Sequence, residues 1–451
     1  MTSKRQPVPT RAPRERAFLV GVELRSEPSM LTLDDSLAEL TLLADTAGLE
    51  TVGETSQKMD KPHAGTLIGS GKVEEIIALA EETEAQVIIF DNELSPRHQR
   101  ELEEKFGDTV RVLDRTALIL DIFAQHASTR EGILQVELAQ YEYYLPRLTR
   151  AWTHLARQAG GGGGRTGATG GVGLRGPGET QLEVDRREIR QKISTLKNEL
   201  EKVRAHRQRH RMERKRTRIP IIALVGYTNA GKSTLLNHLC KANIYVANQL
   251  FATLDPTTRK INLPHGHSSL LTDTVGFIQK LPTTLVAAFR ATLEEISEAD
   301  LLIHVVDATH PNALAQWKAV NSTLADIDAD QIPTITILNK VDRLTPDQRF
   351  VPEELADALP VSALKGEGLP ELLATIESHL FETYVPITVH LPYQQGSLIS
   401  LFHDQGQVER IEHGRGGVTL KGQIPGRLLV SFQHFISNPK TDAAVEESEE
   451  E

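Results

Sequence analysis

One stretch of the chain constrains its fold more than any other. An apolar hexapeptide, Pro220-Ile221-Ile222-Ala223-Leu224-Val225, runs directly into Gly226-Tyr227-Thr228-Asn229-Ala230-Gly231-Lys232-Ser233 and then into a helical pattern. Glycine at the first and sixth positions followed by lysine and serine is the phosphate-loop pattern, in which backbone N–H groups and a helix N-terminus face a polyphosphate. Such a loop needs a buried strand before it and a helix after it. Further short apolar runs, Leu270–Thr272, Leu301–Asp307 and Thr334–Leu338, alternate with helical segments. The region therefore predicts a doubly wound, mostly parallel sheet.

The chemistry follows from the same order. Lys232 is expected to reach the β- and γ-phosphates and the Ser233 hydroxyl to bind Mg²⁺. Asp273-Thr274-Val275-Gly276 ends the next strand; its aspartate suits Mg²⁺ through water, and the Gly276 N–H suits the γ-phosphate. Lys232 and Gly276 are thus the candidate catalytic groups. Asn339-Lys340-Val341-Asp342 ends another strand, and a carboxylate there accepts two hydrogen bonds from guanine that adenine cannot offer. Ser362-Ala363-Leu364 fits the loop whose backbone contacts the guanine O6. Four such segments in register predict a GTP-binding domain. Between the first two lies Phe251-Ala252-Thr253-Leu254-Asp255-Pro256-Thr257-Thr258, a candidate switch in which Thr253, Thr257 or Thr258 could complete the Mg²⁺ shell. Phe277 stands where many GTPases place a water-orienting glutamine, so unassisted hydrolysis should be slow.

Charge separates the chain into unlike parts. The net charge of −11 speaks against nucleic acid as a partner, but residues 143–218 carry about +12 and the rest about −23. No acid occurs from Tyr143 to Gly178, where Arg147, Arg150, Arg157, Arg165 and Arg175 lie, and eleven of the 32 glycines fall in 160–178. Leu134, Leu138, Tyr141, Leu145, Leu148, Trp152 and Leu155 before this run follow a heptad-like spacing, as do Leu182, Ile189, Ile193, Leu196, Leu200 and Val203 after it. An antiparallel helical hairpin with a glycine-rich basic tip is predicted, Pro146 being an obstacle to an unbroken first arm. Arg157, Arg165 and Arg175 are its candidate RNA contacts, against the plainer reading of an interdomain linker. The second basic stretch, Val203–Arg218, is read as an RNA contact rather than a solvated helix face.

The fold class is multidomain α/β. The predicted divisions are a basic tail (1–16), an N-terminal α/β domain (17–130), the hairpin (131–218), the GTPase domain (219–383), a small α+β domain (384–437) and an acidic tail (438–451). Strands are expected at Ala17–Leu24, Val87–Phe90, Ile387–Leu391, Val408–Ile411, Val418–Leu420 and Leu428–Phe432, and helices at Ser36–Ala47, Pro96–Phe106 and Gly396–Phe402. Gly69-Ser70-Gly71-Lys72 fails as a second phosphate loop, because Thr66 occupies the position of its first glycine; a turn opening the helix Val73–Ala80 fits better. His304 reads as a core residue and Cys240 as packing. His265 and His267 are two residues apart and lack a third ligand for a metal. A single cysteine, no bilayer-length apolar run and no secretory pattern predict a cytoplasmic protein without an integral membrane segment.

The phosphate loop, FATLDPT and DTVGF, with LQVELAQ (134–140), LPRL (145–148) and RGPGETQLEVDRR (175–187), resemble the HflX GTPases, within the Obg-related translational GTPases. The resemblance spans about residues 18–435. It implies an N-terminal domain, a helical linker, a G domain and a small C-terminal domain. It also implies binding to the large ribosomal subunit and its rRNA, with splitting or rescue of stalled ribosomes, often under stress. By resemblance Thr253 is the Mg²⁺ switch residue, and Asn229 matches the asparagine that holds K⁺ in related GTPases. A chain that is monomeric when free is expected. The competing readings are an ATP-dependent RNA remodeller built on the N-terminal domain, with a regulatory G domain, and a signalling scaffold that binds a protein at the hairpin.

Overall fold

The computed structural model describes residues 14–25, 31–107, 109–148, 181–216, 219–240, 250–251, 254–280, 290–345, 352–381, 384–414 and 416–436. The contacts among them divide the chain into two compact units, one of residues up to 262 plus 268–370, the other of 263–267 plus the residues from Glu371 on.

The first unit opens with a four-stranded parallel sheet. Strands β1 (Arg16–Leu24), β2 (Glu50–Met59), β3 (Val87–Phe90) and β4 (Arg111–Asp114) lie in the order β2-β1-β3-β4. Period-two alternation distributes its side chains. Ala17, Leu19, Val87 and Ile89 join one core with helices α1 (Leu33–Thr46) and α4 (Arg115–His126). Phe18, Val20, Ile88 and Phe90 join another with α2 (Ser70–Glu82) and α3 (Pro96–Phe106). Both faces are covered, so β3 and the middle of β1 are apolar without interruption. Strand β2 escapes that pattern. It is an edge strand with charged, half-exposed residues, and the apolar-run criterion misses it. The glycine–lysine turn at 69–72 does open a helix: Gly69 is the N-cap of α2, and Lys72 pairs with Glu75 at 2.7 Å.

Helix α5 (Arg130–Tyr144) follows, capped by the Thr129 hydroxyl. It ends where Pro146 forbids its continuation, in a short 3₁₀ turn, Leu145–Arg147. Helix α6 (Gln181–Arg216) packs against it through Leu134, Leu196 and Leu200. Arg130 meets Glu199 while Tyr141 meets Lys192, so the pair is antiparallel. Arg147 belongs to the core rather than to a basic surface. Its guanidinium donates to the Leu94 and Tyr143 carbonyls and lies over the Tyr143 ring. Residues 149–180, with Trp152, Leu155 and the three candidate RNA-contact arginines, lie outside the described residues.

The rest of this unit is a six-stranded sheet, β10-β9-β8-β5-β7-β6, built from β5 (Ile221–Gly226), β6 (Thr257–Asn262), β7 (Ser268–Asp273), β8 (Leu301–Asp307), β9 (Thr334–Asn339) and β10 (Leu359–Pro360). Only the β6–β7 pair is antiparallel. Helices α7 (Lys232–Cys240), α8 (Arg290–Ser297) and α9 (Ala313–Asp326) connect its strands, and α10 (Leu369–Leu380) runs on into the second unit. His304, on β8, is buried as predicted, and burial pulls its pKa down to about 3. Cys240 is half-buried, at the end of α7.

In the second unit, β11 (Tyr384–Pro392), β12 (Gln407–His413) and β13 (Gly417–Pro425) form an antiparallel sheet, β11-β13-β12, with α11 (Gly396–Gln405). The strand predicted at Leu428–Phe432 is corrected: the segment is a 3₁₀ turn, Gly426–Leu428, running into the short helix α12 (Leu429–Phe432). Leu428, Leu429, Phe432 and Phe435 all turn to the core, a spacing of three to four that only a helical backbone satisfies. His265 and His267 both bond through Nδ1 to the two oxygens of Glu377, at 2.7 Å each. The carboxylate that proximity in sequence could not reveal thus serves as their common partner. Among the described residues no cluster fit for a metal ion was found.

Candidate functional site: a phosphate loop braced from three sides

Strand β5 lies between β7 and β8, so its end is the place where the sheet can present a loop from its middle. The loop turns on residues with positive φ: Asn229 at 59° and Gly231 at 100°. A Cβ on Gly231 would sit 2.2 Å from Asn339 Nδ2, so only glycine fits. Lys232 is buried and folds back over its loop, donating to the Gly226 carbonyl at 3.0 Å and the Tyr227 carbonyl at 2.8 Å. Burial lowers its pKa to about 8, against the opposing pull of Asp273.

Ser233 and Asp273, forty residues apart, are brought together, the hydroxyl donating to the carboxylate at 2.6 Å. A hydroxyl beside a buried carboxylate is a hard oxygen donor set that fits Mg²⁺. Thr274 turns away, its hydroxyl held by the Leu224 carbonyl at 2.6 Å, and so fixes where β7 ends. Gly276 packs close to the loop; a Cβ there would lie 2.8 Å from the Thr228 Cα and 3.0 Å from Lys232 Nζ. Phe277 runs beside the loop like an added strand, its N–H donating to Gly226 and its carbonyl accepting from Thr228. Its ring is buried in the core.

The third side is the loop after β9. Asn339 braces two segments at once, donating to the Ala230 carbonyl at 2.8 Å and accepting from the Ala363 N–H at 2.9 Å. Lys340, with φ 67°, reaches the Asn229 carbonyl and Asp307. Asp342 is oriented by the Ser362 hydroxyl at 2.8 Å, Val341 continues the turn, and Leu364 is exposed. Asp307 was not foreseen from sequence, although its place at the end of an apolar strand is a usable signal.

In the switch candidate, Thr257 and Thr258 are residues of β6, and the Thr258 hydroxyl shares a hydrogen bond with Thr272 in the ladder. Ala252 and Thr253 lie outside the described residues. Phe251 and Leu254 are buried, whereas Asp255 faces helix α5. Sequence reasoning also missed how closely the loop is tied to the N-terminal sheet. The Tyr227 hydroxyl donates to Glu39 and accepts from the Gln279 N–H at 3.0 Å. Lys280 pairs with Asp91, Gln279 bonds Ser36 at 3.0 Å, and fully buried Arg115 pairs with both Glu39 and Asp91. Burial raises the Tyr227 pKa to about 12. Two acids and two bases thus neutralise one another where the strands of both sheets end.

A mostly parallel sheet that carries these four loops at one edge defines a P-loop GTPase. Comparison with known proteins places it more narrowly. Family models described as "GTP-binding GTPase N-terminal", "GTP-binding GTPase Middle Region", "50S ribosome-binding GTPase" and "HflX C-terminal domain" match residues 34–124, 126–214, 221–340 and 352–428. The GTPase HflX of Alkalihalophilus pseudofirmus is 44% identical over 90% of this chain and 93% of its own. That of Escherichia coli is 42% identical over 91% and 94%. Among solved structures, a GTP-binding protein of Sulfolobus solfataricus in complex with GDP aligns over 81% of this chain and 98% of its own, at 24% identity and a TM-score of 0.41. The chain belongs to the HflX GTPase family, and its activity is GTP hydrolysis.

Proposed function

We propose that this GTPase binds the large ribosomal subunit through the tip of its helical hairpin and splits or rescues stalled ribosomes, hydrolysis resetting the switch. The observation that carries this reading is the antiparallel pairing of α5 and α6. It brings Leu148 and Gln181 to the same end of the hairpin, so the chain between them, acid-free until Glu179, must leave and return there. A basic segment with eleven glycines suits a narrow space between RNA strands, where arginines meet phosphate and glycines admit close approach. The match to a family described as a 50S ribosome-binding GTPase agrees with it.

At the nucleotide, Lys232 and the loop N–H groups would hold the phosphates, and Ser233, Thr253 and, through water, Asp273 would hold Mg²⁺, which supplies charge neutralisation at the β- and γ-phosphates. Asp342 would read the guanine, with Asn339 and Ser362–Leu364 shaping its pocket. Asn229, in its left-handed conformation, is the proposed K⁺ contact. Buried Phe277 has no proton to exchange with water, so hydrolysis should be slow until a partner supplies that group. The ATP-dependent alternative meets an obstacle, since Arg115 and Lys280, the cations that could meet a phosphate beside the N-terminal sheet, are already paired with Glu39 and Asp91.

Deleting residues 160–178 tests the proposal. The variant should keep its guanine-nucleotide affinity but lose the ability to dissociate ribosomes, followed by light scattering and gradient sedimentation. Splitting by the deletion variant at the full rate would refute the role of the tip.

A further inference from the structure

Asp255 belongs to the segment between the phosphate loop and β6, yet its carboxylate is spent on a different element. It accepts hydrogen bonds from the Ser128 N–H at 2.9 Å, the Ser128 hydroxyl at 2.8 Å, the Thr129 N–H at 2.8 Å and the Thr129 hydroxyl. Thr129 is the N-cap of α5, the first arm of the hairpin. An anion at this position meets the positive end of the helix and the backbone donors that have no partner within it. Partial burial pushes the Asp255 carboxyl up, but the hydrogen bonds from Thr129 and Ser128 outweigh it and hold it below the usual carboxylate range.

The fit depends on one missing methyl group. A Cβ on Gly132, in the first turn of α5, would lie 2.4 Å from Asp255 Oδ1. Nothing in the helical backbone requires glycine there, and alanine is the better helix former. The space at Gly132 therefore serves the incoming carboxylate. Upstream, Phe251 meets Phe123 of α4 edge to face at 4.6 Å, and Leu254 is buried in the core that α4 and α5 share. Phe251, Leu254 and Asp255 are thus each held by elements that are not part of the nucleotide-binding sheet.

We propose that Asp255 is a positioning residue that latches the candidate switch, residues 251–258, to the first turn of α5 when GDP is bound and lets go when GTP is bound. The proposal rests on the reading of Thr253, two residues away, as the group drawn to the metal. Residues two apart in sequence span at most about 7 Å, so a threonine pulled toward the γ-phosphate takes Asp255 with it. The helix arm then loses its anionic cap, and the nucleotide state is transmitted to the hairpin through a single side chain. By reciprocity, whatever holds α5 in the uncapped form favours GTP.

The test is amide exchange of the full-length chain, read at Ser128 and Thr129, with GDP and with a non-hydrolysable GTP analogue. Both amides should be protected with GDP and exchange faster with the analogue. Asp255→Ala should leave them unprotected with either nucleotide and shift the ratio of the two affinities toward the analogue by at least about fivefold. Gly132→Ala, which should strengthen the helix while excluding the carboxylate, should reproduce both effects without loss of Tm. Equal protection with both nucleotides in the unmutated chain, or an unchanged affinity ratio in both variants, would overturn the latch. Thr253→Ala separates the two readings. Protection retained with both nucleotides in that variant supports latch and metal role together; nucleotide-dependent release that persists supports the latch and removes the metal role from Thr253.

Discussion

Lys232 shows how a single buried charge can set conditions for binding. Its ammonium is held by two carbonyls of its own loop, and burial brings its pKa to about 8. A polyphosphate prefers the charged form, so affinity should be fully expressed below pH 8 and fall as pH rises through it, approaching tenfold per unit above that point. Titrating GTP affinity between pH 7 and 9 checks this, and Lys232→Met should bind weakly with a flat profile; a steep profile in that variant would assign the effect to another group. The residues proposed to carry the chemistry can be named from sequence because each pattern has a fixed place after a strand. Asp307, Glu39, Asp91 and Arg115 cannot. Their roles arise from pairings such as Asp307 with Lys340 and Asp91 with Lys280, across 33 and 189 positions, which no local pattern encodes.

Elements were readable where burial dictated their composition. Pro96–Phe106 and Val87–Phe90 have their predicted limits, since a serine cap with proline opens the one and two covered faces demand the apolar run of the other. Strand β2 is hidden by its exposed edge, and Leu428–Phe432 reads as a strand although it is helical, because a short apolar run has no readable period. The hairpin seam is readable in part: Leu134, Leu138 and Tyr141 meet Leu196, Leu200 and Val203, whereas Pro146 ends the first arm before the predicted Leu148. Among the described residues the apolar cluster between the arms is small, with Leu134, Leu196 and Leu200 as its buried members. Leu200→Ala should therefore destabilise the pairing by about 2–4 kcal/mol. Amide exchange in α6 near residues 196–203 should rise while that of β5 and β8 stays unchanged. Equal acceleration in both regions would mean that the hairpin and the nucleotide-binding sheet unfold as one.

At the scale of the molecule, the sign of the net charge misleads and its distribution informs. Acidic and basic regions are separated along the chain, and the basic one coincides with the helical hairpin and the connection between its arms. The nucleotide-binding sheet meets the N-terminal sheet through a neutralised cluster of Glu39, Asp91, Arg115 and Lys280, while Asp255 meets the hairpin itself. A GTPase wired in this way should report its nucleotide state to whatever the hairpin touches. The most direct measurement is co-sedimentation of the full chain with large ribosomal subunits, with a non-hydrolysable GTP analogue, with GDP, and at increasing salt. Retention with the analogue, at least about tenfold weaker retention with GDP, and loss of both at high salt are predicted. Equal retention with both nucleotides, or binding indifferent to salt, would contradict the account.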